Sequence, residues 1–212
     1  NDGEAYVLQC VNQSVFRDPQ LVMSQTQRLL THWSQQSDYI APELVPSRAG
    51  KSGAWLDGEF WRVWRYVKGS RVIDPIQTPA QARAAGAAFG ALQNSLENLP
   101  GARFKDPIPG FLQLEHYLKS YDALAAQAPA ALNQLVQANR DLSDQFKLRN
   151  AYIHGDCKVN NLLFAAETDQ VIAIIDFDTA MYGHWAWDFG DLVRSVCFST
   201  GSVSRDYFSA CL

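Results

Sequence analysis

The strongest structural signal in this 212-residue chain is the stretch Tyr152-Ile-His-Gly-Asp-Cys-Lys-Val-Asn-Asn-Leu-Leu-Phe164. It begins as a short apolar strand that ends just before Asp156. Its last residues are apolar again, and together with the next apolar run, Val171–Ile175, they have the length and spacing of a β-hairpin. The second strand of that hairpin brings Asp176 beside Asn161. The sequence therefore predicts that the side chains of Asp156, Asn161 and Asp176 converge at neighbouring strand ends.

These side chains, together with Lys158, have the chemistry of a phosphoryl-transfer centre. Mg²⁺ prefers oxygen ligands and often takes only one or two carboxylates, with phosphate oxygens and water completing its shell. Asn161 and Asp176 can therefore hold the metal. Asp156 can accept the proton of an attacking hydroxyl group or orient that group. Lys158 lies where a preorganised cation can neutralise the charge on a moving phosphoryl group.

The string HGDCKVNN, followed 15 residues after Asn161 by IDFD, carries a family resemblance. It resembles the catalytic loop and metal motif of the kinase-like phosphotransferases, the group that contains aminoglycoside phosphotransferases and choline kinases. The resemblance implies an α+β, two-lobed, protein-kinase-like fold, with ATP as co-substrate and Mg²⁺ as metal. It makes Asp156 the catalytic aspartate and Lys158 the loop lysine. It assigns the metal to Asn161 and Asp176, and Asp188 resembles the later family aspartate that braces the catalytic loop through backbone hydrogen bonds.

Segments outside the catalytic loop resemble one branch of that superfamily, the branch that contains N-acetylhexosamine 1-kinase. They are Tyr6-Val-Leu-Gln-Cys-Val-Asn12, Val15-Phe-Arg-Asp-Pro19, Trp61-Arg-Val-Trp-Arg-Tyr-Val67 and Ile108-Pro-Gly-Phe111. The resemblance implies transfer of the ATP γ-phosphate to the anomeric hydroxyl of an N-acetylated sugar, so the expected partner is a small sugar. An aminoglycoside or choline acceptor stays open, and so does a catalytically silent nucleotide-binding module.

The composition of the chain changes near residues 68 to 74. Residues 1–67 read as a strand-rich lobe, 68–74 as a hinge or connector, and 75–212 as a helical lobe with the catalytic loop. Asp18-Pro19 predicts a helix to about Trp33, and Asp57-Gly58 predicts a hairpin turn. A capping box at Thr78 predicts a helix to Leu99, and a second long helix is expected over Leu114–Ala128. No glycine-rich loop precedes Tyr6, so we expect a fragment, truncated in both lobes.

Gln9 occupies the strand position at which the family usually has a lysine or arginine. The helix that follows has no acidic residue between Asp18 and Asp38, so both members of the usual ion pair are missing from these elements. We hypothesise that Gln9 bonds to the amide of Gln25 or Gln27 and still contacts a nucleotide phosphate. Three further nucleotide-binding residues follow from the two-lobed resemblance, which places adenine against the backbone of Arg65, Tyr66 and Val67.

Several residues near the motif have two readings. Asp188 opens a predicted helix, so it could cap that helix as well as brace the loop. His154 is interpreted as a structural histidine that packs behind the loop and supports it. His184 and Trp185 could bind the sugar together with Asp156, although aromatic residues at alternate positions, such as Trp185 and Trp187, are usually part of a core. Cys157 lacks a basic partner in the motif, which argues against a nucleophile.

Composition excludes several classes of function. The formal net charge is −4, without a run of Lys or Arg, which disfavours nucleic-acid binding. No segment predicts a membrane span or a signal peptide, and the four dispersed cysteines indicate reduced thiols, so a soluble cytoplasmic protein is expected. The oligomeric state stays open. Gly50-Lys51-Ser52 lacks the first Walker A glycine, because Val45 stands in its place. The run containing Asp176 and Asp178 fits a phosphatase motif, but no lysine follows it.

Overall fold

Four short antiparallel strands from the first third of the chain form one sheet. The structure is a computed structural model that describes residues 3–142, 150–198 and 202–212. The strands are β1 (Tyr6–Val11), β2 (Leu44–Val45), β3 (Ala54–Leu56) and β4 (Glu59–Arg65), and β4 pairs with each of the other three. The β3–β4 turn is the predicted Asp57-Gly58 hairpin, with φ values of 50° and 82°. Both residues adopt the left-handed conformation that a type I′ turn requires, so that prediction is confirmed.

The first helix, α1 (Pro19–Gln36), covers one side of this sheet. Its N-terminus is capped by Asp18, whose carboxylate accepts a hydrogen bond of 2.9 Å from the Leu21 N–H. Met23 of α1 packs with Val11 and Phe60 in a small apolar cluster under the sheet. The other end of α1 enters the main core, because Trp33 is fully buried there.

A second group of strands surrounds the segment that contains Asp156, Asn161 and Asp176. It contains β5 (Ser70–Val72), β6 (Asn150–Ile153), β7 (Leu162–Ala165), β8 (Val171–Ile174) and β9 (Met181–His184). β5, β7 and β8 form a three-stranded sheet, and β6 pairs with β9. The β7–β8 hairpin was predicted and is confirmed. The connector predicted over residues 68–74 is wrong in part, because Ser70–Val72 pairs with β7, a partner more than ninety residues away.

Five helices follow α1 among the residues that the structure describes. They are α2 (Pro79–Leu96), α3 (Leu114–Asp122), α4 (Ala130–Asn139), α5 (Ala186–Cys197) and α6 (Arg205–Cys211). The predicted cap of α2 is confirmed, since the Gln81 N–H donates to Thr78 Oγ1 over 3.2 Å. The helix expected over Leu114–Ala128 ends early, because the Asn133 amide donates to the carbonyls of Ala125 and Ala128 and holds that segment in a 3-10 turn.

The central helix α2 packs closely against α6 at one glycine. A Cβ atom on Gly86 would collide with the Cys211 carbonyl oxygen, whereas Gly90 has nothing within 4 Å. Glycines four residues apart share one face of a helix, yet of these two only Gly86 makes a close contact. No helix in the described ranges is long and apolar enough to cross a membrane.

Replacing these two glycines by alanine is expected to have opposite effects. Gly86→Ala forces α2 away from the α6 backbone, and such overpacking costs about 1–3 kcal/mol of folding free energy. Gly90→Ala meets open space and removes a helix-interior glycine, which stabilises by up to about 1 kcal/mol. Urea unfolding of both variants measures the difference. Equal effects of the two substitutions would contradict the helix contact at Gly86.

Candidate active site

The loop that contains Asp156, Lys158 and Asn161 is attached to α5 by the carboxylate of Asp188. Asp188 Oδ2 accepts a hydrogen bond of 2.7 Å from the His154 N–H, and Oδ1 accepts one of 2.8 Å from the Gly155 N–H. Burial raises the pKa of Asp188, although both N–H groups favour its ionised form. The carboxylate makes no capping bond to its own helix, so the alternative role as a helix cap is wrong.

His154 lies behind the loop and is fully buried. Its ring Nε2 is 3.0 Å from the Ile175 carbonyl oxygen at the end of β8, and its carbonyl accepts a bond of 3.0 Å from Thr179 Oγ1. The ring packs against Phe89 and Phe177. His154 therefore ties the end of β6 to the end of β8, the two strand ends that carry Asp156 and Asp176.

Asp156, Lys158 and Asn161 form one hydrogen-bonded group in the loop. Asp156 Oδ2 is 2.6 Å from Lys158 Nζ and 3.0 Å from Asn161 Nδ2. The same Nδ2 also donates to the Asp156 carbonyl over 2.8 Å. Both hydrogens of the Asn161 amide are thus used within the loop, and its Oδ1 remains for another partner.

Asp176 is placed directly beside Asn161 by the backbone. The Ile175 N–H donates to the Asn161 carbonyl over 2.9 Å, and Asp176 itself adopts a left-handed conformation with φ 65° and ψ 59°. Its carboxylate is exposed to a cleft. The surrounding protein still withdraws it from bulk water, and this desolvation, with the nearby Asp178 charge, raises its pKa.

Because its pKa is raised, Asp176 should make the free energy of unfolding depend on pH. The folded protein binds the carboxyl proton more tightly than the unfolded chain, in which the pKa is near the usual 3.8. Asp176 therefore favours folding most at low pH, and this contribution is lost as pH rises from 3.8 through the raised value. Asp176→Asn is expected to weaken this decline in urea unfolding between about pH 3 and 7. Parallel stability curves for the two proteins would contradict it.

The cleft beside Asp176 has a volume of about 390 Å³ and lies between the two groups of strands. Its wall includes Asn161 and Asp176 together with the four residues predicted to bind nucleotide, namely Gln9, Arg65, Tyr66 and Val67. Asp156 and Lys158 lie next to this wall, joined to it through Asn161. The structure thus brings the candidate catalytic, metal-binding and nucleotide-binding residues to one place.

The hypothesis that Gln9 bonds to Gln25 or Gln27 is wrong. Gln25 instead exchanges two hydrogen bonds with the backbone of Lys105, and Gln27 is exposed. The register of β1 and β4 places Gln9 opposite Arg62, and Gln9 Oε1 accepts hydrogen bonds from Arg62 Nε and Trp64 Nε1.

Sequence reasoning missed Arg62 and its partner Asp178. Arg62 Nη2 is 2.6 Å from Asp178 Oδ2, and both side chains are buried. A buried charged pair therefore lies beside the cleft, with Arg62 at its wall, although β1 and α1 supply neither member of it. The available signal was the alternation of Phe60, Arg62 and Trp64 on one face of β4, which puts an arginine between two aromatic residues that face inward.

His184 and Trp185 lie away from the loop. In the β6–β9 ribbon Ile153 faces Met181 next to the loop, while His184 faces Asn150 at the far end. Three residues of strand separate these positions by roughly 10 Å. His184 lines another cavity, of about 360 Å³, that also includes Asp106 and Trp187, and Trp185 stacks on His184 without lining the cleft. The structure does not bring these two residues to Asp156.

Cys157 is buried beneath the loop. Burial raises the pKa of its thiol well above the usual value of 9.0, and the nearby Asp188 carboxylate adds to the shift. A thiol in such surroundings is a poor nucleophile. All four cysteines are unpaired.

Comparison with known proteins assigns the chain to a family. The chain matches the phosphotransferase enzyme family over residues 1–210. It is 32% identical to acyl-CoA dehydrogenase family member 11 of Rattus norvegicus over 81 residues. These residues make up 38% of this chain and 10% of that protein. Among solved structures it resembles the microcompartment-associated aminopropanol kinase, with TM-score 0.76 and 20% identity over 99% of this chain and 69% of that one.

The amicoumacin kinase hAmiN, solved in complex with AMP-PNP and Ca²⁺, is similar at TM-score 0.73 and 16% identity over 99% of this chain and 65% of that one. The chain therefore spans about two thirds of these two solved chains and a tenth of the curated relative. These likenesses confirm the α+β, protein-kinase-like fold. The chain belongs to the phosphotransferase enzyme family.

Proposed function

We propose that this chain transfers the γ-phosphate of ATP to the hydroxyl group of a small molecule, with Mg²⁺ as the metal. One observation carries the proposal: Asn161 is hydrogen-bonded to Asp156 over 3.0 Å and lines the same cleft as Asp176. A carboxylate for the attacking hydroxyl and two oxygen ligands for a metal thus meet at the cleft. Phosphoryl transfer needs little more than such positioning and charge stabilisation.

The cleft suits a nucleotide base at the Arg65–Val67 segment. The Tyr66 N–H donates to the Ala5 carbonyl over 2.9 Å, which anchors the segment to the start of β1. Within the part of the chain that the structure describes, the Tyr66 carbonyl and the Val67 N–H take no hydrogen bond. An acceptor and a donor on adjacent residues can pair with the complementary edge of adenine.

The residues at the cleft fit a magnesium ion. Asn161 offers only Oδ1, since its amide hydrogens are used, and Asp176 offers a carboxylate that faces the cleft. Two such oxygen ligands suit Mg²⁺, which usually keeps several waters and shares its shell with substrate phosphates. When bound, the ion would neutralise negative charge on the phosphates.

Asp156 is the proposed base, and Lys158 the proposed cation of the loop. Asp156 Oδ2 is hydrogen-bonded to Lys158 and Asn161, so Oδ1 is left to take the proton from the hydroxyl group of the substrate. The Lys158 ammonium places a positive charge beside the carboxylate at which the hydroxyl would be oriented. Asp188 and His154 support the loop through the hydrogen bonds described above.

The proposed acceptor is the anomeric hydroxyl of an N-acetylhexosamine. This part of the proposal rests on the sequence resemblance of segments outside the catalytic loop. An aminoglycoside-type acceptor is equally consistent with the family. The proposed lobe boundaries are 1–67, 68–74 and 75–212, and β5 in the connector pairs with β7 of the second lobe. The sheet pairings support this division, because among the described residues β1 to β4 pair with one another and with no other named strand.

The experiment is to incubate the purified chain with ATP, Mg²⁺ and a panel of acceptors while ADP and phosphorylated products are followed by phosphorus NMR. The panel contains N-acetylglucosamine, N-acetylgalactosamine, an aminoglycoside, choline and aminopropanol. The methyl glycoside of N-acetylglucosamine is the matched control, because it lacks a free anomeric hydroxyl. The expected product is the sugar 1-phosphate, with no reaction of the glycoside. ATP binding without consumption would instead support a silent nucleotide-binding module.

A further inference from the structure

We infer that Arg62 is a positioning residue of this centre: with Asp178 it clamps the turn that follows Asp176 against β4, and through Gln9 it aims an amide donor into the cleft. The inference rests on the proposed function, since it assigns a phosphate ligand to the same cleft. The two members of the buried charge pair, Arg62 and Asp178, lie on β4 and on the turn after β8.

The clamp itself is a two-pronged ion pair that joins the two groups of strands. Arg62 Nη1 donates to Asp178 Oδ1 and Arg62 Nη2 donates to Asp178 Oδ2, each at a distance of 2.6 Å. Arg62 is only 2% exposed, and its Nη1 also lies 3.4 Å from Met23 Sδ on α1. The planar guanidinium matches a carboxylate in this paired geometry, which fixes orientation as well as distance.

Asp178 passes this constraint to Asp176, two residues earlier. The turn Phe177–Thr179 is bonded on one side to His154 through Thr179 Oγ1 and on the other to Arg62 through Asp178. Asp176 precedes this turn in a left-handed conformation, which a non-glycine residue keeps only where its surroundings impose it. Arg62 is therefore one of the groups that hold the Asp176 carboxylate toward the cleft.

Gln9 receives its orientation from the same arginine. Its Oε1 lies 2.9 Å from Arg62 Nε and 3.0 Å from Trp64 Nε1, and both of these groups can only donate. The oxygen must face them, so Nε2 points the other way and takes no protein acceptor among the residues described. Gln9 lines the cleft with Asn161 and Asp176. Its Nε2 is thus a neutral donor, held ready for a phosphate oxygen.

Stability alone does not account for the pair. A buried ion pair is often no more stabilising than two apolar side chains of the same volume. Arg62 does not itself bind a phosphate, because its guanidinium is buried and its Nη1 and Nη2 groups are hydrogen-bonded to Asp178. The pair instead fixes the positions of β4, Gln9 and the turn after Asp176 relative to one another.

The test removes both charges together, so that neither is left buried without its partner. Arg62→Met/Asp178→Leu is compared with Arg140→Met/Asp122→Leu, a double change at a solvent-exposed pair outside the cleft. The cleft double variant is expected to keep cooperative thermal unfolding. Its affinity for Mg²⁺–ATP and its kcat are expected to fall about 10- to 100-fold, while the KM for the acceptor stays the same. The control double variant should keep all three values. Wild-type affinity and kcat in the cleft double variant would overturn the inference.

Two single variants keep the inference testable if the double variant does not fold. Arg62→Lys keeps the charge and loses the paired geometry, and we expect it to fold with about a tenfold loss of Mg²⁺–ATP affinity. Gln9→Glu keeps an oxygen acceptor for Arg62 and Trp64 but replaces the Nε2 donor by a carboxylate oxygen. Its affinity for Mg²⁺–ATP should therefore also be lower than that of the wild type. Unchanged affinity in both variants would contradict the clamp.

Amide hydrogen exchange separates this inference from the proposed function. If the wild-type protein phosphorylates no acceptor, the proposed function fails. The clamp still predicts faster exchange at Phe177–Thr179 in Arg62→Lys, relative to wild type, in the nucleotide-free protein. Equal exchange rates in that segment would overturn the clamp whether or not the protein is a kinase.

Discussion

Asp156→Asn is expected to lower kcat for phosphoryl transfer by about 10²–10⁴-fold, the usual contribution of a positioned general base. The amide keeps an oxygen for Lys158 and the size of the side chain, but it cannot take up a proton. Because Asp156 lies next to the cleft wall rather than in it, nucleotide affinity should stay close to that of the wild type. Single-turnover assays and calorimetric titration with Mg²⁺–ATP measure the two effects separately.

The matched control is Asp122→Asn on α3, where the carboxylate pairs with Arg140 at the surface. It removes the same charge far from the loop and should leave kcat unchanged. Near-normal turnover in Asp156→Asn would remove this residue from the mechanism. A parallel loss of nucleotide affinity would place Asp156 in the binding of ATP instead.

Asp188→Asn is expected to destabilise the fold by about 1–3 kcal/mol, the usual cost of a buried hydrogen-bonding group left without its partner. The carboxylate accepts from two backbone N–H groups, those of His154 and Gly155, and an amide can accept only one of them in this geometry. Its NH₂ group then faces the other N–H donor. Urea unfolding measures the loss of stability, and kcat should fall with it because the loop that carries Asp156 loses an anchor.

Asp191→Asn provides the comparison one turn later on the same helix. Asp191 pairs with the exposed Arg194, and exposed ion pairs usually contribute at most about 1 kcal/mol. If the Asp188 variant were no less stable than the Asp191 variant, the loop would not depend on this anchor.

Local patterns in the sequence predicted the elements whose signals lie within a few residues. The Asp18 cap with α1, the Asp57-Gly58 turn, the Thr78 cap and the β7–β8 hairpin all follow from short-range chemistry, and all are present. Asp156, Asn161 and Asp176 also lie within one continuous stretch, so their proximity could be predicted without any knowledge of the tertiary structure.

The features that were missed depend on partners distant in the chain. Ser70–Val72 becomes a strand only because β7 supplies the pairing edge. Gln9 bonds to Arg62 rather than to α1, because the β1–β4 register sets its neighbours. Arg62 and Asp178 are 116 residues apart, and no local pattern links an inward arginine on one strand to a carboxylate after another. Such contacts arise from the packing of the two groups of strands.

A crystal structure of the protein with a non-hydrolysable ATP analogue and Mn²⁺ would locate the metal by its anomalous scattering and show where the nucleotide binds. We expect a metal peak bonded to Asn161 Oδ1 and the Asp176 carboxylate, with phosphate oxygens completing the shell and the base beside Tyr66 and Val67. A metal bound at other residues, or a nucleotide outside this cleft, would contradict it.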